Sequence, residues 1–538
     1  MGDHRIVATD LLRAGERKRL ESLAGCREVP SLVSFLSEQF GVRLDTDPDI
    51  IAGYARDSSN LPASAQVLAR PDNPRDLAVV LAASQVTGIP VTVTAGKSNL
   101  TGSATPEGGI LVSLSGFQSP AVSVDVATRL VRAPVGMILE DMRRAVVEQS
   151  KGGLVYPVDP TSRADATVGG TIACNASGFV PGEQGATRCW VEWLECLLPD
   201  GRRIEAKRGQ YVSRDGQFLV EGGAVAPLQW PVPRHARPPI KNAGGPFSAP
   251  DGVLDLVDLI VGSEGIFGVV TGVALRVEPP PAAVLDLFFS LPDEARAVQC
   301  RNRLAKSLEG GLGSLRAFEY FGVNCRRYMD HESVFFPGKD QVAIYLQAPV
   351  PDGDVETAAG LWLERLMELD CDIDDAGIRL LDTERTWKQF MEARHSLPAK
   401  ALEVVQQRGA FTIMTDTVVP ADQFETFLDF THRRLAEERL EYVAFGHLGD
   451  CHLHFTILPE RDSVVRALAA YDAIVARSAE LGGVYSGEHG TGKRKRADFL
   501  RCYGPAAVDG VAACKRAVDP GFLLNRNNVI SAPEGVTQ

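Results

Sequence analysis

A cluster of potential metal ligands stands out in the sequence FGHLGDCHLHF, at 445–455. Three of the chain's nine histidines lie within these positions, beside an aspartate and a cysteine. His447 and His454 are seven residues apart, so a single straight strand would point their side chains to opposite faces. The stretch must therefore fold back on itself if both imidazoles are to bind one divalent ion.

A β-hairpin would bring these histidines together. We expect Asp450 and Cys451 to be the two loop residues of such a hairpin. His447 would then pair directly with His454, with their Cβ atoms about 5 Å apart on one face of the sheet. His452 would lie on that face too, because it stands two residues before His454. Two ligands are too few for a metal site, so a third must come from elsewhere in the chain. The alternative is an ordinary hairpin that carries histidines and binds no metal.

Length and composition set broad limits on the protein. A chain of 538 residues predicts two or three domains, and 45% hydrophobic with 23% charged residues is typical of a soluble globular protein. The net charge of −13 argues against a nucleic-acid partner. The one dense basic run, KRKR at 493–496, is expected to have a local anion-binding or solvent-facing role.

The sequence argues against a membrane span, a signal peptide and two kinds of metal centre. No apolar run approaches the roughly 20 residues of a membrane span, and the N-terminus lacks the apolar core of a signal peptide. The ten cysteines contain no C-x-x-C pair, which disfavours iron–sulfur clusters and structural zinc. We expect reduced thiols and a cytoplasmic location, either free or peripheral to a membrane.

The elements that must position the histidines fall into four segments. Residues 1–50 are expected to be a helical segment, beginning with an amphipathic helix. Residues 51–280 alternate β-rich runs with Gly-rich turns, and residues 281–500 alternate helices with strands in the manner of an α+β sandwich. Three consecutive prolines in VEPPPAAV mark the boundary between them. Residues 501–538 carry one helix and a turn, while residues 206–250 are expected to be a long irregular loop or inserted arm.

Three Gly-rich stretches look suited to hold an anion and a flat ring. They are TAGKSNLTGSATPEGG (94–109), PVDPTSRADATVGGTIACNASG (157–178) and GSEGIFGVVT (262–271). Small residues let the backbone approach a ligand closely, and exposed N–H groups can bind an anion. Any one of them alone could be a tight turn, but the three together predict a cofactor site. No G-x-G-x-x-G follows a predicted strand, so a Rossmann dinucleotide site is unsupported.

This order of motifs resembles the FAD-linked oxidases, the flavoprotein family of the vanillyl-alcohol oxidase type. The shared pattern is a Gly-rich loop ending in L-T-G, then D-P-T-S with T-x-G-G and N-x-x-G, then G-S-E-G. The resemblance implies an α+β fold with a two-subdomain FAD-binding domain at 51–280. It also implies an antiparallel-sheet-and-helix substrate domain, the cap domain, at 281–500, with 501–538 returning to the FAD-binding domain.

The resemblance also implies FAD as the cofactor. FAD would be held noncovalently, because the first loop lacks the histidine that some relatives link to the flavin. The residues carried over as FAD-binding are Gly96, Lys97, Ser98, Asn99, Leu100, Thr101, Gly102, Pro160, Thr161, Thr167, Gly169, Gly170, Asn175, Gly178, Glu264, Gly265 and Asn525.

A second motif pair is similar to one branch of that family. G-H-x-G-D-x-x-x-H followed by G-E-H-G, here at 487–490, resembles the enzymes that oxidise D-2-hydroxy acids: D-lactate, D-2-hydroxyglutarate and glycolate dehydrogenases. The resemblance implies that His447, His454 and Glu488 bind a divalent metal, Zn or Mn. It implies that His489 is the catalytic base beside the flavin.

Further positions bear on the substrate. The segment FMEARHSLP, at 390–398, resembles the family's W-x-x-R-E stretch and nominates Arg394 as a catalytic-site clamp for a carboxylate. Relatives acting on a dicarboxylate tend to have lysine where this chain has Met414, which favours a monocarboxylate or a bulkier substrate. Lys241 and Asn242 match a segment that lies near the flavin in relatives, although they could equally form a plain turn.

Two residues of the histidine stretch depart from the family pattern. His452 stands where the family usually has asparagine, so it could contact substrate, add a metal ligand or simply pack. Cys451 stands where relatives have the glycine of an Asp-Gly turn, a position that favours positive φ. A residue other than glycine should cost stability there or force another type of turn.

The sequence therefore predicts an FAD-dependent D-2-hydroxy-acid dehydrogenase, with three alternatives left open. They are an FAD oxidase of a non-acid alcohol, a metallohydrolase using the same ligands, and a flavin-fold protein without catalysis. The expected partners are a small 2-hydroxy acid and an electron acceptor, which could be a quinone, a cytochrome or an electron-transfer flavoprotein. The sequence leaves the oligomeric state open, with a homodimer as one expectation.

Overall fold

The computed structural model describes residues 2–223, 225–374 and 377–533. Within these ranges the chain is a mixture of helices and four β-sheets. Of the helices described, none combines the length and apolar character that a bilayer crossing requires.

The strands and helices are numbered in chain order. The strands are β1 (Arg5–Val7), β2 (Thr9–Asp10), β3 (Leu44–Asp45), β4 (Val67–Ala69), β5 (Val91–Thr94), β6 (Ile110–Ser113), β7 (Ser123–Asp125), β8 (Leu130–Ala133), β9 (Val191–Leu197), β10 (Arg202–Lys207), β11 (Gln217–Glu221), β12 (Leu228–Pro231), β13 (Val269–Arg276), β14 (Ala283–Leu291), β15 (Ala317–Phe321), β16 (Val342–Val350), β17 (Arg379–Leu380), β18 (Ile413–Met414), β19 (Tyr442–His447) and β20 (His452–Ile457). The helices are α1 (Ala14–Glu21), α2 (Val29–Phe40), α3 (Pro48–Tyr54), α4 (Pro74–Thr87), α5 (Leu139–Gln149), α6 (Val168–Cys174), α7 (Leu256–Ile260), α8 (Glu294–Ser307), α9 (Glu332–Phe335), α10 (Val355–Glu368), α11 (Glu384–Gln407), α12 (Phe424–Glu437), α13 (Val464–Glu480) and α14 (Arg496–Val518).

The first half of the chain forms two principal sheets around one hydrophobic core. A four-stranded sheet has the order β3-β4-β6-β5, with β4, β6 and β5 parallel, and an antiparallel six-stranded sheet has the order β2-β10-β9-β13-β8-β7. Helix α4 is buried along most of its length, as expected for a helix that covers a parallel sheet. It begins at Asn73, whose side chain accepts a hydrogen bond from the Asp76 N–H, and Pro74 occupies the first helical position.

The cap domain is built on a seven-stranded sheet with the order β17-β14-β16-β15-β19-β20-β18. Successive residues of β14 enter different cores, because side chains alternate across a strand. Leu287 and Phe289 join the core beneath α8, α10, α12 and α13, whereas Phe288 packs on the other face with Phe390 of α11. Both faces of the sheet are therefore covered, and its central strands β19 and β20 are held in a fixed place.

Most of the expected elements form, with two differences. Residues 5–10, expected to be part of a helix, form β1 and β2, which pair with β11 and β10. Residues 206–250, expected to be irregular, contain the hairpin of β11 and β12. The partners of β1 and β2 are distant in sequence, so local pattern alone does not reveal these strands, whereas β11 and β12 pair with each other in a local hairpin.

The C-terminal segment packs into the core of the first half. Lys515, on α14, is buried and its ammonium group donates to the carbonyl oxygens of Ile266 (2.9 Å) and Leu524 (2.8 Å) and to Asp519 Oδ2 (2.7 Å). Burial alone would raise the pKa of Asp519, but the charge of Lys515 overcomes it and lowers that pKa. The hydrogen bond from Lys515 to the Ile266 carbonyl oxygen ties the segment after β20 to the loop before β13.

We predict that Lys515→Met lowers the free energy of unfolding by about 3–5 kcal/mol, because it leaves the Asp519 carboxylate buried without its cation. The measurement is the denaturation midpoint of the purified protein. Lys18→Met, on the exposed side of α1, is the matched control and should leave the midpoint unchanged. The double variant Lys515→Met/Asp519→Leu should recover part of the loss, and a double variant no more stable than the single one would contradict this account.

Candidate active site and metal centre

The histidine stretch forms the predicted hairpin, but with a different register. His447 pairs with His452, and Phe445 pairs with His454. The expected two-residue loop and the direct pairing of His447 with His454 are wrong, because residues 448–451 form a longer turn that Cys451 closes at φ +54°. The register differs by two residues, and an even shift leaves each side chain on its original face.

The imidazoles of His447, His452 and His454 consequently lie together. Their ring centroids are 5.4 Å apart for His447 and His452, 4.6 Å for His452 and His454, and 6.0 Å for His447 and His454. Cys451 adopts the left-handed conformation that glycine would adopt more easily. The chain thus accepts a left-handed residue other than glycine at the end of the longer turn.

Glu488 meets two of these histidines from a separate loop. His447 Nε2 is 3.2 Å from Glu488 Oε2, and His454 Nε2 is 3.0 Å from Glu488 Oε1. The other ring nitrogens face acceptors, since His447 Nδ1 lies 2.7 Å from Glu319 Oε1 and His454 Nδ1 lies 3.1 Å from the Thr415 carbonyl oxygen. With a proton on each Nδ1, both Nε2 lone pairs face the Glu488 carboxylate. Two lone pairs and a carboxylate facing one another form the kind of donor set that a divalent cation completes, and the acceptors behind them fix the tautomers as in known metal sites.

The electrostatics of this group favour positive charge. Burial alone would lower the pKa of His447, but the charge of Glu319 and that of Glu488 raise it to about 9. Burial would raise the pKa of Glu488, yet Lys241 and His447 hold it well below its ordinary range. The Lys241 ammonium lies 3.3 Å from Glu488 Oε2 and 3.6 Å from Asp450 Oδ2. Lys241 is therefore a partner of the metal-site carboxylate.

A buried carboxylate, Asp416, holds the loop that carries Glu488 and His489. Its Oδ2 accepts hydrogen bonds from the His489 N–H (3.0 Å), the Ser486 hydroxyl (2.6 Å) and the Lys495 ammonium (2.7 Å). Its Oδ1 accepts from the Glu488 N–H at 3.2 Å. Asp416 was not among the predicted site residues, because the groups that it contacts on this loop lie 70 to 79 positions further along the chain.

His489 lies beside His454 and Glu488, with its two nitrogens in different surroundings. Its Nδ1 is 3.4 Å from Asp416 Oδ2, and its Nε2 is 3.6 Å from Glu488 Oε1. The ring stacks on that of His454, with centroids 5.3 Å apart and planes 16° apart. Burial lowers the pKa of His489 to about 4. An imidazole oriented by a carboxylate in this way can accept a proton at Nε2.

A cavity of about 460 Å³ connects the Gly-rich loops to His447, Glu488 and His489. Every residue predicted to bind FAD lies on its wall except Thr101, Gly102 and Asn175. Thr101 donates its hydroxyl to the His489 carbonyl oxygen at 3.2 Å, and Asn175 ends α6 in the left-handed conformation at φ +49°. These two therefore support the wall from behind.

Glu264, in GSEG, joins this wall to the loop of His489. Its carboxylate is buried and accepts the N–H groups of Thr491 (2.6 Å) and Gly492 (2.8 Å). The basic run that follows is also structural, because Lys493 donates to the Gly102 carbonyl oxygen (3.2 Å) and Asn528 Oδ1 (2.8 Å). The expected solvent-facing role is wrong for Lys493 and Lys495, which are buried, whereas Lys495 does bind a local anion, the Asp416 carboxylate.

Arg394 stands behind the cavity wall. Its guanidinium carbon lies 4.2 Å from the Phe179 ring, which lines the cavity, and its Nη2 is 3.7 Å from Glu319 Oε2. Met414 is half-buried in β18, where it pairs with Thr456. Arg394 thus neighbours His447 through Glu319 and stacks on Phe179, a residue of the cavity wall.

Comparison with known proteins agrees with this arrangement. The family model "FAD binding domain" matches residues 65–207, and "FAD linked oxidases, C-terminal domain" matches residues 281–529. A D-lactate dehydrogenase of Anaerostipes hadrus is 26% identical over 487 residues, which cover 87% of this chain and 90% of that protein. The glycolate oxidase subunit GlcD of Bacillus subtilis is 27% identical over 464 residues, covering 85% and 87%. The structure of p-cresol methylhydroxylase with substrate bound aligns with a TM-score of 0.67 at 13% identity, covering 97% of this chain and 99% of that one.

The fold is therefore that of a flavin-dependent oxidoreductase with an FAD-binding domain and a cap domain. The chain belongs to the FAD-linked oxidases. This assignment disfavours the metallohydrolase alternative, because flavin-based redox chemistry and hydrolysis are different reaction classes.

We predict that Gly96→Ala lowers the FAD content of the purified protein. A Cβ at position 96 would collide with the carbonyl oxygen of Asp165 and lie 3.0 Å from Ala166 Cα, so the two Gly-rich loops would have to separate. FAD content is read from the ratio of absorbance at flavin and protein wavelengths. Gly360→Ala, in α10 with open space around the added Cβ, is the control. Full FAD occupancy in Gly96→Ala would mean that these loops do not hold the cofactor.

Proposed function

We propose that the protein is an FAD-dependent dehydrogenase that oxidises a D-2-hydroxy acid to a 2-oxo acid with the help of a divalent metal. The observation that carries the proposal is the meeting of His447, His454, Glu488 and His489 at one end of a cavity whose other walls are the FAD-type Gly-rich loops. The three predicted metal ligands and the predicted base are thereby next to each other and next to the flavin region.

The chemistry divides between the cofactors and the chain. When bound, FAD supplies a two-electron acceptor for the hydride of the substrate carbon, and a divalent metal supplies a Lewis acid that makes the hydroxyl more acidic. His489 accepts the hydroxyl proton at Nε2, and the Asp416 carboxylate at Nδ1 stabilises the resulting imidazolium. Glu488 and the two histidines would hold the metal, with Glu319 and the Thr415 carbonyl oxygen orienting their rings.

The substrate is proposed to be a monocarboxylate. The similar proteins include a D-lactate dehydrogenase and a glycolate oxidase subunit, named for monocarboxylates, and D-2-hydroxyglutarate dehydrogenases, named for a dicarboxylate, so the names alone do not choose between the two classes. Met414 supports the monocarboxylate, since it offers no charge for a second carboxylate. Arg394 is the proposed carboxylate partner, although Glu319 takes part of its charge. The electron acceptor is proposed to be a quinone, a cytochrome or an electron-transfer flavoprotein.

The first test is anaerobic bleaching of the flavin by a panel of D- and L-2-hydroxy acids, with neutral alcohols of similar size. We expect D-2-hydroxy monocarboxylates to bleach the flavin, and we expect a metal chelator to slow the reaction. Bleaching by the neutral alcohols with no chelator effect would favour the non-acid alcohol oxidase. A flavin that no hydroxy acid reduces would overturn the proposal.

A second test addresses the base. His489→Gln removes the proton acceptor and should lower the rate of flavin reduction by about 10²–10⁴-fold, the usual contribution of general base catalysis. FAD content should be unchanged. The rate is measured by anaerobic stopped-flow absorbance, with His4→Gln as a control far from the cavity wall. A rate within a few-fold of the unsubstituted protein would exclude His489 as the base.

A further inference from the structure

His452 is a third imidazole in the predicted metal group and has no role so far. It is fully buried in β20, directly opposite His447 in the hairpin. One potential ligating atom from each of His447, His452, His454 and Glu488 lies within 4.8 Å of the others. In a tetrahedral shell, ligands about 2.1 Å from one zinc ion lie about 3.4 Å apart, so the four groups would have to close by at most about 1.4 Å to share one ion.

The hydrogen bonding of His452 leaves one nitrogen unsatisfied. Its Nε2 is 2.9 Å from Asp416 Oδ1, a buried carboxylate that can only accept, so the proton of the ring lies on Nε2. Its Nδ1 then carries a lone pair, and that atom is buried with no hydrogen-bond partner among the described residues. A buried acceptor without a partner costs about 1–3 kcal/mol, so a chain that keeps one there has a reason to do so.

All three imidazoles share one arrangement. Each has one nitrogen held by an oxygen acceptor: Glu319 for His447, Thr415 for His454 and Asp416 for His452. In each ring the other nitrogen is the one that a metal would bind: it faces Glu488 in His447 and His454, and it has no hydrogen-bond partner among the described residues in His452. Histidines that bind metals typically donate their second ring N–H to a carboxylate or a backbone carbonyl in this way.

We propose that His452 is a fourth protein ligand of the divalent metal, bound through Nδ1. The proposal rests on the proposed function, because it assumes the metal held by His447, His454 and Glu488. A site with three imidazoles and one carboxylate is richer in nitrogen than the two-histidine set expected from the family. Imidazole suits zinc, whereas oxygen ligands suit manganese, so His452 biases the site toward zinc.

The test measures metal binding directly and does not depend on turnover. The flavin-loaded protein is stripped of metal with a chelator, dialysed and reloaded with Zn²⁺ or Mn²⁺. Competition with a chelator of known affinity gives the dissociation constant, and zinc X-ray absorption counts the bound imidazoles. The variants are His452→Asn, which installs the residue usual in the family, and His454→Asn, which removes a primary ligand. His235→Asn is the matched control, since both ring nitrogens of His235 are also buried without partners and it belongs to none of the ligand groups among the described residues.

We expect three imidazoles per zinc in the unsubstituted protein and two in His452→Asn. We expect His452→Asn to weaken zinc binding by at least about a hundredfold, because loss of a ligand should exceed the 10–100-fold cost of losing a partner behind one. Manganese binding should weaken less, and His235→Asn should match the unsubstituted protein.

Other results overturn the inference. Two imidazoles in the unsubstituted protein would exclude His452 as a ligand even if the variant failed to fold. If the zinc affinity of His452→Asn stays within about twofold of the unsubstituted value, His452 is a packing residue. If the only change in that variant is in the substrate KM, His452 is a substrate contact. An unsubstituted protein that binds neither ion would remove the metal from the proposed function as well, whereas flavin bleaching by hydroxy acids tests that function separately.

Discussion

The buried carboxylate of Asp416 is the interaction on which the rest of the site depends. Burial alone would raise its pKa, but the positive charges beside it, His489 and Lys495 foremost, hold that pKa well below its ordinary range. Its two oxygens accept from the loop of Glu488 and His489, from Lys495 and from His452. A single ionised group thereby fixes the loop of Glu488 and His489 and the ring of His452 relative to one another. Replacing any of these donors would leave part of a buried charge uncompensated, which is costly in a protein interior.

Much of the fold was predictable because its signals are local. The helix at 139–149 and the strands at 91–94 and 342–350 follow hydrophobic periodicity, and the Gly-rich loops follow from residues that allow close backbone approach. The strands at 5–7 and 9–10 were not predictable in this way, because their hydrogen-bond partners lie about two hundred residues further along the chain. Local pattern was therefore enough to predict those helices, strands and loops, whereas β1 and β2 form only because distant strands pair with them.

The residues of the candidate site were likewise only partly predictable from the sequence. The spacing of His447 and His454 indicated a hairpin, but the register depended on Cys451 accepting a positive φ, which the residue type alone argues against. Glu488 and His489 came from a motif, whereas Asp416 and Glu319 came only from the structure. Both residues contact site residues that lie on other elements of the fold. No spacing in the sequence relates residue 319 to 447 or residue 416 to 489.

The wall of the cavity is assembled from parts of the chain that are made at very different times. Its Gly-rich loops come from the first half, His489 comes near the end, and Asn525 closes the wall while its side chain accepts the Val93 N–H and its backbone N–H donates to Val91. A ribosome-bound chain that has emerged only as far as the cap domain lacks these last contacts. The cavity wall is therefore complete only once the segment that carries Asn525 has packed against the Gly-rich loops of the first half.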